Sequence, residues 1–503
     1  MLGRQGIFNF VLLLLYIIYL TMKKNIALLV LIFAILPSYI CYAQWQPEIR
    51  LTNDAANSFA PSDKGIAAYG SFIHIVWQDY RDGDAEVYYK RSTNSGISWS
   101  SDLRLSPVGN FSGAPTIALY QSTIHVFWTD QRIAPLDIYY VRSTDNGVTW
   151  QPEVMITTDL MNSQYPSVSV SGNNIFLCWE DDRDISTKEV YFKRSTNAGV
   201  NWSSDIRLTN DTSQTSRISV ASFGQNIHVA WISGSVSTEI YYKSSTNGGI
   251  NWSADQRMTN DPGSSGFPNI AVSGQSVNLF WNDSRDGNIE IYFKRSSDGG
   301  ASWSSDTRLT NEINNSLNPS AVALGPLLFL VWQDMRLNMY KIYSKFSTNA
   351  GVSWSADLLI SPEPNNGQTG NPSIDVSDTA VHVIWEDFRH GNPEIYYKKN
   401  LLGIPVGVTQ TGISTPRDFS LSQNYPNPFN PVTNIEFSIP KTGLVKLSIF
   451  NAAGRKVTAL VNGELSAGRY NYDFDATQLA SGIYFYKLES NDFTATKKMV
   501  LIK

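Results

Sequence analysis

Cysteine, charge and helical periodicity are all scarce in this chain of 503 residues. Two cysteines, Cys41 and Cys178, rule out a scaffold stapled by several disulfides. Cys41 lies in an apolar leader, so the mature chain is expected to keep a single thiol. Cys178 sits in the apolar run Ile175-Phe176-Leu177-Cys178-Trp179 and reads as core packing, since a nucleophile needs partial exposure and a nearby base. Charged residues make up only 17%, against roughly 25% in ordinary globular chains. Ser, Thr, Asn and Gly fill the difference, which suits short strands and tight turns. Nothing after the leader sustains a helical apolar period, so helices are not expected. A basic stripe is missing as well. Without residues 1–43 the balance is 36 basic against 44 acidic, and residues 419–503 hold nine basic and six acidic of these, leaving the body at −11. Such a body is a poor partner for nucleic acid, where neutralising phosphate supplies most of the affinity, or for an anionic membrane.

The leader holds two apolar runs. The second starts at Met22 with Lys23 and Lys24, continues from Ile26 to Leu36, and passes Pro37 into small or polar residues up to Ala43. That is the three-part layout of a secretory signal peptide. Translation is expected to begin at Met22, with residues 1–43 as the leader, and the run Ile7 to Leu20 is short for a membrane span.

Self-similarity dominates the rest. The octet Ser-Thr-Asn-Ser-Gly-Ile-Ser-Trp at 92–99 recurs at 143–150, 195–202, 245–252, 296–303 and 347–354. A second marker, Trp-x-Asp-x-Arg, starts at Trp77, Trp128, Trp179, Trp281, Trp332 and Trp385, and has decayed to Trp-Ile-Ser-Gly-Ser at Trp231. Within one repeat, Gly65 to Ala68, Phe72 to Trp77, Glu86 to Arg91 and Asp102 to Leu105 read as four short strands. Four strands in about 50 residues is the unit of a propeller blade. The segment Trp45-Gln-Pro-Glu-Ile-Arg-Leu-Thr-Asn53 matches the fourth-strand segment Trp202 to Asn210, whereas the last repeat stops after its third strand at Lys399. The expected fold is therefore all-β: a seven-bladed β-propeller over 44–402, closed by the N-terminal strand, which removes an exposed edge.

The octet resembles the Asp-box of the bacterial neuraminidase repeat (sialidase-like) superfamily. The resemblance implies a structural turn in which the Asp or Asn caps backbone amides, the Gly takes positive φ and the Trp packs between strands. The residues carried over are Asn94, Gly96 and Trp99, then Asp145, Gly147 and Trp150, and Asn197, Gly199 and Trp202. The second set is Asn247, Gly249 and Trp252, Asp298, Gly300 and Trp303, and Asn349, Gly351 and Trp354. Sialidases also carry an arginine triad, a Tyr/Glu nucleophile pair, an acidic proton donor and a Phe/Tyr-Arg-Ile/Leu-Pro motif. That motif is missing here, for Arg132-Ile133-Ala134-Pro135 is a near-match inside an ordinary turn. Catalysis needs groups in unlike environments, and near-uniform blades argue against it.

The Trp-x-Asp-x-Arg turns join strands two and three on the face opposite the octets. Asp79/Arg81, Asp130/Arg132, Asp181/Arg183, Asp283/Arg285, Asp334/Arg336 and Asp387/Arg389 are expected to ring that face. Strand three often opens with another acid: Glu86, Asp137, Glu189, Glu239, Glu290 or Glu394. One reading is an arginine held between two carboxylates that locks each hairpin. The functional reading is a charged rim for a polar or carbohydrate ligand. A calcium loop over Asp79 to Glu86 is the weakest reading, because an arginine inside it repels the ion; no cofactor is expected. His74, His125, His228 and His382 share one slot three residues before the marker Trp, one per blade, and read as packing.

After a polar linker at 403–418, the motifs Leu421 to Pro431, Thr433 to Pro440, Val445 to Asn451 with Gly454-Arg455, Leu479 to Tyr484 and Lys497 to Lys503 look like the sorting domain of the type IX (Por) secretion system. The resemblance implies a small Ig-like β-sandwich at 419–503, passage through the outer membrane, and release or attachment at the cell surface. The expected protein is a monomeric, non-catalytic propeller binding an extracellular glycan or protein. The competing expectation is a sialidase-like glycoside hydrolase or lyase acting on extracellular polysaccharide.

Overall fold

The computed structural model describes residues 45–502 apart from 62, 134, 185–186, 211–212, 236, 363–366, 378, 403–407, 413–415, 442, 466–467, 477–478 and 491–492. The expected leader, with the Met22 start, lies outside the described residues. All regular structure among the described residues is β. Between Ile49 and Leu401 it forms repeated four-stranded antiparallel sheets, like those of a propeller. In the second repeat the order is Ser112–Tyr120, Thr123–Asp130, Asp137–Ser143 and Val154–Met155, and the next four repeats copy it. Strand two is the core of each sheet because it alternates β-branched and aromatic residues with none left to solvent. All seven marker tryptophans are at most 1% exposed.

The two ends of the repeat array differ. Ile49–Arg50 lies beside Glu394–Leu401 of the last repeat, with Ile49 opposite Tyr397 and Arg50 opposite Tyr396. In the first repeat the innermost strand is split into Ser58–Phe59 and Ile66–Tyr69, both paired with Phe72–Asp79. The sequence placed strand one only at Gly65 to Ala68. Elsewhere that strand has an earlier half, interrupted by a bulge between Gly113 and Thr116, Gln164 and Ser167, and their equivalents. The residue after most bulge positions is proline, which reads as a strand breaker in one dimension but is tolerated at a bulge.

Neighbouring sheets are tied by repeating contacts. Trp150 packs edge-on against Tyr89 of the preceding repeat, with ring centres 4.9 Å apart. Gly147 leaves room for that tyrosine: a Cβ there would lie 1.9 Å from the Tyr89 hydroxyl, at a φ of 74°. Asp145 accepts the Thr149 amide at 2.9 Å, and Ser143 accepts the Gly147 amide at 2.9 Å. Lys193 donates across the sheet boundary to the Ile156 carbonyl at 2.7 Å, and Arg142 to that of Ala198 at 2.6 Å. Cys178 is fully buried and burial pushes its thiol up.

The four histidines are each paired. His74, His125, His228 and His382 meet the hydroxyls of Tyr89, Tyr140, Tyr242 and Tyr397 through Nδ1, at 2.6 to 2.8 Å. Where the slot holds Phe176, Asn278 or Phe329, the tyrosine position holds Phe192, Phe293 or Ser344. Histidine and tyrosine therefore appear together or not at all.

Downstream, Val408–Gly412, Gly468–Asp475, Val432–Ile439 and Ser420–Leu421 make one sheet, in that order, and Lys456–Leu465, Gly443–Asn451, Gly482–Ser490 and Phe493–Leu501 a second. Phe437, Ile449, Tyr486 and Met499 belong to one buried cluster there. The expected linker at 403–418 needs correcting, because Val408–Gly412 pairs with Gly468–Asp475. Its Val-Thr-Gln-Thr-Gly composition is polar, yet β-branched residues suit an outer strand.

Burial lowers the histidines to about 3 for His74, His125 and His382 and about 4 for His228. The unfolded chain thus binds protons that the folded chain refuses, and stability is lost as pH falls from about 6.5 towards these values. We predict that His125→Phe with Tyr140→Phe, copying the third repeat, loses less melting temperature between pH 7 and pH 4.5 than the native chain does in calorimetry. An equal or larger loss would contradict the pairing. His125→Phe alone strands the Tyr140 hydroxyl and is expected to cost roughly 1–3 kcal/mol.

Candidate functional site

Strand one begins beside the end of strand two, as in the pairing of Ser112 with Asp130, so the bulges and the Trp-x-Asp-x-Arg turns share one face. The aspartates of these turns are buried. Asp79 accepts Trp77 Nε1 at 2.7 Å, Ser58 Oγ at 2.9 Å, and the backbone amide and guanidinium of Arg81. Burial opposes ionisation of Asp79, but the bonds from Arg81 and Trp77 outweigh it and hold the carboxyl below its ordinary value. Arg81 also reaches Asp102 at 2.7 Å and lies 4.4 Å from the Tyr88 ring centre. Arg132 pairs likewise with Asp130 and Glu153, Arg183 with Asp181 and Asp205, and Arg285 with Asp283 and Asp306. Arg336 joins Asp334 and Asp357, and Arg389 joins Asp387 and Glu48. The second carboxylate comes from the residue just before strand four, not from the acid that opens strand three. That acid instead accepts a strand-four hydroxyl, as Glu189 does from Thr209 at 2.5 Å. Each Asp/Arg pair is spent within its own sheet and the connection leading into it, and in the fourth repeat Ser233 stands where the aspartate would be.

A second ring lies inside the first. The bulge residues Ala114, Tyr165, Arg217, Phe267, Asn318 and Asn371 all have φ between 43° and 55°, strained values for side chains that are not glycine. The residue between Trp and Asp in the preceding repeat holds the bulge in place. Gln78 accepts the Ala114 amide at 3.3 Å, Thr129 that of Tyr165 at 3.0 Å, and Glu180 that of Arg217 at 2.9 Å. Ala114, Tyr165, Glu180, Arg217, Phe267 and Asn318 from this set line a cavity of about 280 Å³, together with Asp63 and Lys188 among others.

The cavity is chemically lopsided. Repeats three to five contribute aromatics and cations: the Arg217 guanidinium lies 4.3 Å from the Phe267 ring centre, and Lys188 5.9 Å from that of Tyr165. Lys188 also approaches Glu180 at 3.3 Å. Arg217 is exposed and makes no ion pair or side-chain hydrogen bond among the described residues. Every other arginine of the repeats holds a carboxylate or a backbone carbonyl, as Arg104 holds Asp82, Arg257 holds Glu239 and Arg295 holds the Ala350 carbonyl. Burial raises Glu180, opposed by the Arg217 amide and by Lys188. In the seventh repeat, outside the cavity lining, burial pushes Glu386 up to about 7, with the Asn371 side chain and the Ala60 amide opposing. On the inner strand Thr369–Val376, burial lifts Asp375, which accepts the Ala68 amide at 2.8 Å, to about 6.

The sequence reading passed over Arg217, Lys188, Glu180, Glu386 and Asp63. Two traces of them were visible. The bulge column reads X-Pro in the second, third, fifth, sixth and seventh repeats and breaks to Arg217-Ile218 in the fourth, and the first repeat is longer than the others between Pro61 and Ile66. In the candidate calcium loop, Asp79 is already engaged by Trp77, Ser58 and Arg81.

Residues 423–503 match the family described as secretion system C-terminal sorting domain. That match marks the chain for export by the type IX machinery to the cell surface or beyond. No curated protein matches the chain. Among solved structures, polysaccharide lyase Uly1 is similar over 71% of this chain and 100% of its own, at 12% identity and a TM-score of 0.50. A protein of unknown function from Dyadobacter fermentans is similar over 71% of this chain and 99% of its own, at 14% identity and a TM-score of 0.45. A Trypanosoma rangeli sialidase is similar over 90% of this chain and 89% of its own, at 12% identity and a TM-score of 0.42. At such identities the likeness extends to the fold alone, an all-β arrangement of repeated four-stranded sheets like those of a propeller.

The two rings predict opposite responses to substitution. Asp181→Ala removes the shared partner of Trp179, Ser163 and Arg183 and is expected to cost at least about 2 kcal/mol in urea unfolding. Arg217→Ala is expected to stay within about 0.5 kcal/mol of the native chain. Equal losses at the two positions would remove the distinction.

Proposed function

We propose that this chain is a secreted or surface-held seven-bladed propeller that binds an extracellular glycan at the mouth of its central funnel without transforming it. The propeller spans 44–402, and the strands from Val408 onward form the sandwich that addresses it to the type IX machinery. Ile49–Arg50 serves as the outer strand of the seventh blade. Several contacts support that closure. Thr52 donates to Glu394 as Thr209 does to Glu189. Lys90 reaches the Leu51 carbonyl as Lys294 reaches that of Met258. Trp99 packs on Tyr397 with ring centres 5.0 Å apart, and Lys399 donates to the Ser95 carbonyl at 2.6 Å.

The observation that carries the binding reading is the exposed Arg217, which among the described residues makes no ion pair and lies over Phe267 with Glu180 near by. A guanidinium is the side chain best shaped to hold a carboxylate or sulfate through two parallel hydrogen bonds. Tyr165 and Phe267 beside it offer apolar faces on which a sugar ring can rest. The ligand class is therefore a saccharide bearing a carboxylate or sulfate. The Asp/Arg turns, from Asp79/Arg81 round to Asp387/Arg389, act as the wall that holds the mouth in shape and supply its outer polar rim. A glycoside hydrolase or lyase is the second reading, favoured by Glu386, a carboxyl near neutral pKa of the kind a general acid needs.

The purified full chain is expected to select carboxylated or sulfated saccharides on a glycan array. Arg217→Ala should weaken them at least about tenfold by calorimetry, the loss of a charged hydrogen bond, with an unchanged melting temperature. Equal binding of neutral saccharides, or indifference to Arg217→Ala, would reject the anionic class. Release of new reducing ends or unsaturated products, abolished by Glu386→Gln, would replace binding by catalysis.

A further inference from the structure

The first repeat differs from the others at one place. Its inner stretch runs from Ser58 to Tyr69, three residues longer than Ser112–Tyr120 or Thr215–Phe223. In most repeats the second residue after the bulge position passes a side-chain oxygen to the next inner strand. Ser167 accepts the Val220 amide at 3.2 Å, Ser219 that of Ile270 at 3.1 Å, and Asn269 that of Ala321 at 2.9 Å. The belt continues through Ser373, which accepts the Gly65 amide at 2.9 Å, and then through the Lys64 carbonyl, which accepts the Ile117 amide at 3.0 Å. The extra residues therefore keep the first repeat linked to the inner strands on both sides and add what their side chains bring.

Lys64 brings a cation that reaches far from its own repeat. Its Nζ donates to the carbonyls of Val168 and Val220, each at 2.9 Å. Those carbonyls lie in the third and fourth repeats, which are not neighbours of the first, so the side chain crosses the channel. A buried ammonium needs acceptors, and inner-strand carbonyls supply two. The turn behind it is tight: a Cβ on Gly65 would sit 2.6 Å from Pro61. Asp63, one residue earlier, lines the cavity together with Glu180 and Arg217, with Thr116 Oγ1 at 3.5 Å from its carboxylate.

We propose that this insertion is a specificity device: Lys64 braces the floor of the funnel as a positioning residue, and Asp63 presents a carboxyl there that reads hydrogen-bond donors on the bound saccharide. The inference rests on the funnel reading above. With a guanidinium at the rim and a carboxyl at the floor, the cavity accepts a ring whose acidic group faces outward and whose hydroxyls face inward. Its volume, about 280 Å³, lies just below the range of small-ligand pockets, which starts near 300 Å³, and suits a single terminal sugar unit. The ligand is thus a chain end carrying a terminal acidic sugar.

The test uses the full chain, with a glucuronate-terminated trisaccharide and its glucose-terminated counterpart as probes. Asp63→Asn is expected to weaken the glucuronate probe about tenfold with little change in melting temperature. Lys64→Met should weaken it to a similar degree, lower the melting temperature, and leave Asp63→Asn with no further effect in the double variant. Hydrogen exchange gives a readout that needs no ligand. Lys64→Met should speed exchange in Ser163–Ser171 and Thr215–Phe223 but not in Ser265–Ser273. Unchanged exchange in the first two strands overturns the brace. Unchanged affinity in Asp63→Asn, or additive losses in the double variant, overturns the floor contact. A native chain that binds neither probe defeats the funnel reading, while the exchange result still decides the brace.

Discussion

A buried carboxylate at the end of strand two organises each complete repeat. Burying such a charge is costly unless every lone pair is used, and here the donors come from almost every part of the sheet. Ser163 of strand one, Trp179 of strand two and the turn amide of Arg183 all converge on Asp181, and the Arg183 guanidinium extends the link to Asp205 near strand four. One side chain thereby fixes the order and spacing of four strands. The fourth repeat shows what remains without it. Trp231 is still buried, and Glu239 still collects Thr259 and Arg257, so the outer half of that sheet keeps its ties while the end of strand two loses its hub.

Uniformity and departure from it are sorted by place in the sheet. Positions between sheets must match a neighbour on each side, so the octet tryptophans recur in every octet and the histidine–tyrosine pairs change only in concert. Positions at the inner ends of the sheets take different partners in different repeats. That is where the first repeat carries Asp63 and Lys64, the fourth carries Arg217, and the third and seventh carry Glu180 and Glu386 between the marker Trp and Asp. The chemical asymmetry that a binding site needs is confined to these positions.

Much of the fold was legible in the chain itself. The periodic octets, the marker tryptophans and the fourth-strand likeness of Trp45 to Asn53 are local patterns, and local hydrogen bonding makes a repeated segment adopt a repeated shape. The sorting segment was legible for the same reason. The inner-strand bulges were not, because a proline after a strained residue looks like a break until the strand beside it is present. Val408–Gly412 was misread as linker because a polar strand has no periodicity to show.

The candidate site belongs to the other category. Whether Asp79/Arg81 and its counterparts point at a ligand or at each other depends on segments about 20 residues away, such as the one carrying Asp102. The chain alone determined that four-stranded units would recur and where their turns would fall, since neighbouring residues dictate turns and strands. Only the folded chain decided that Arg217, Asp63, Lys188 and Glu180 share one cavity. They come from three repeats, and only the packing of separate sheets brings them together.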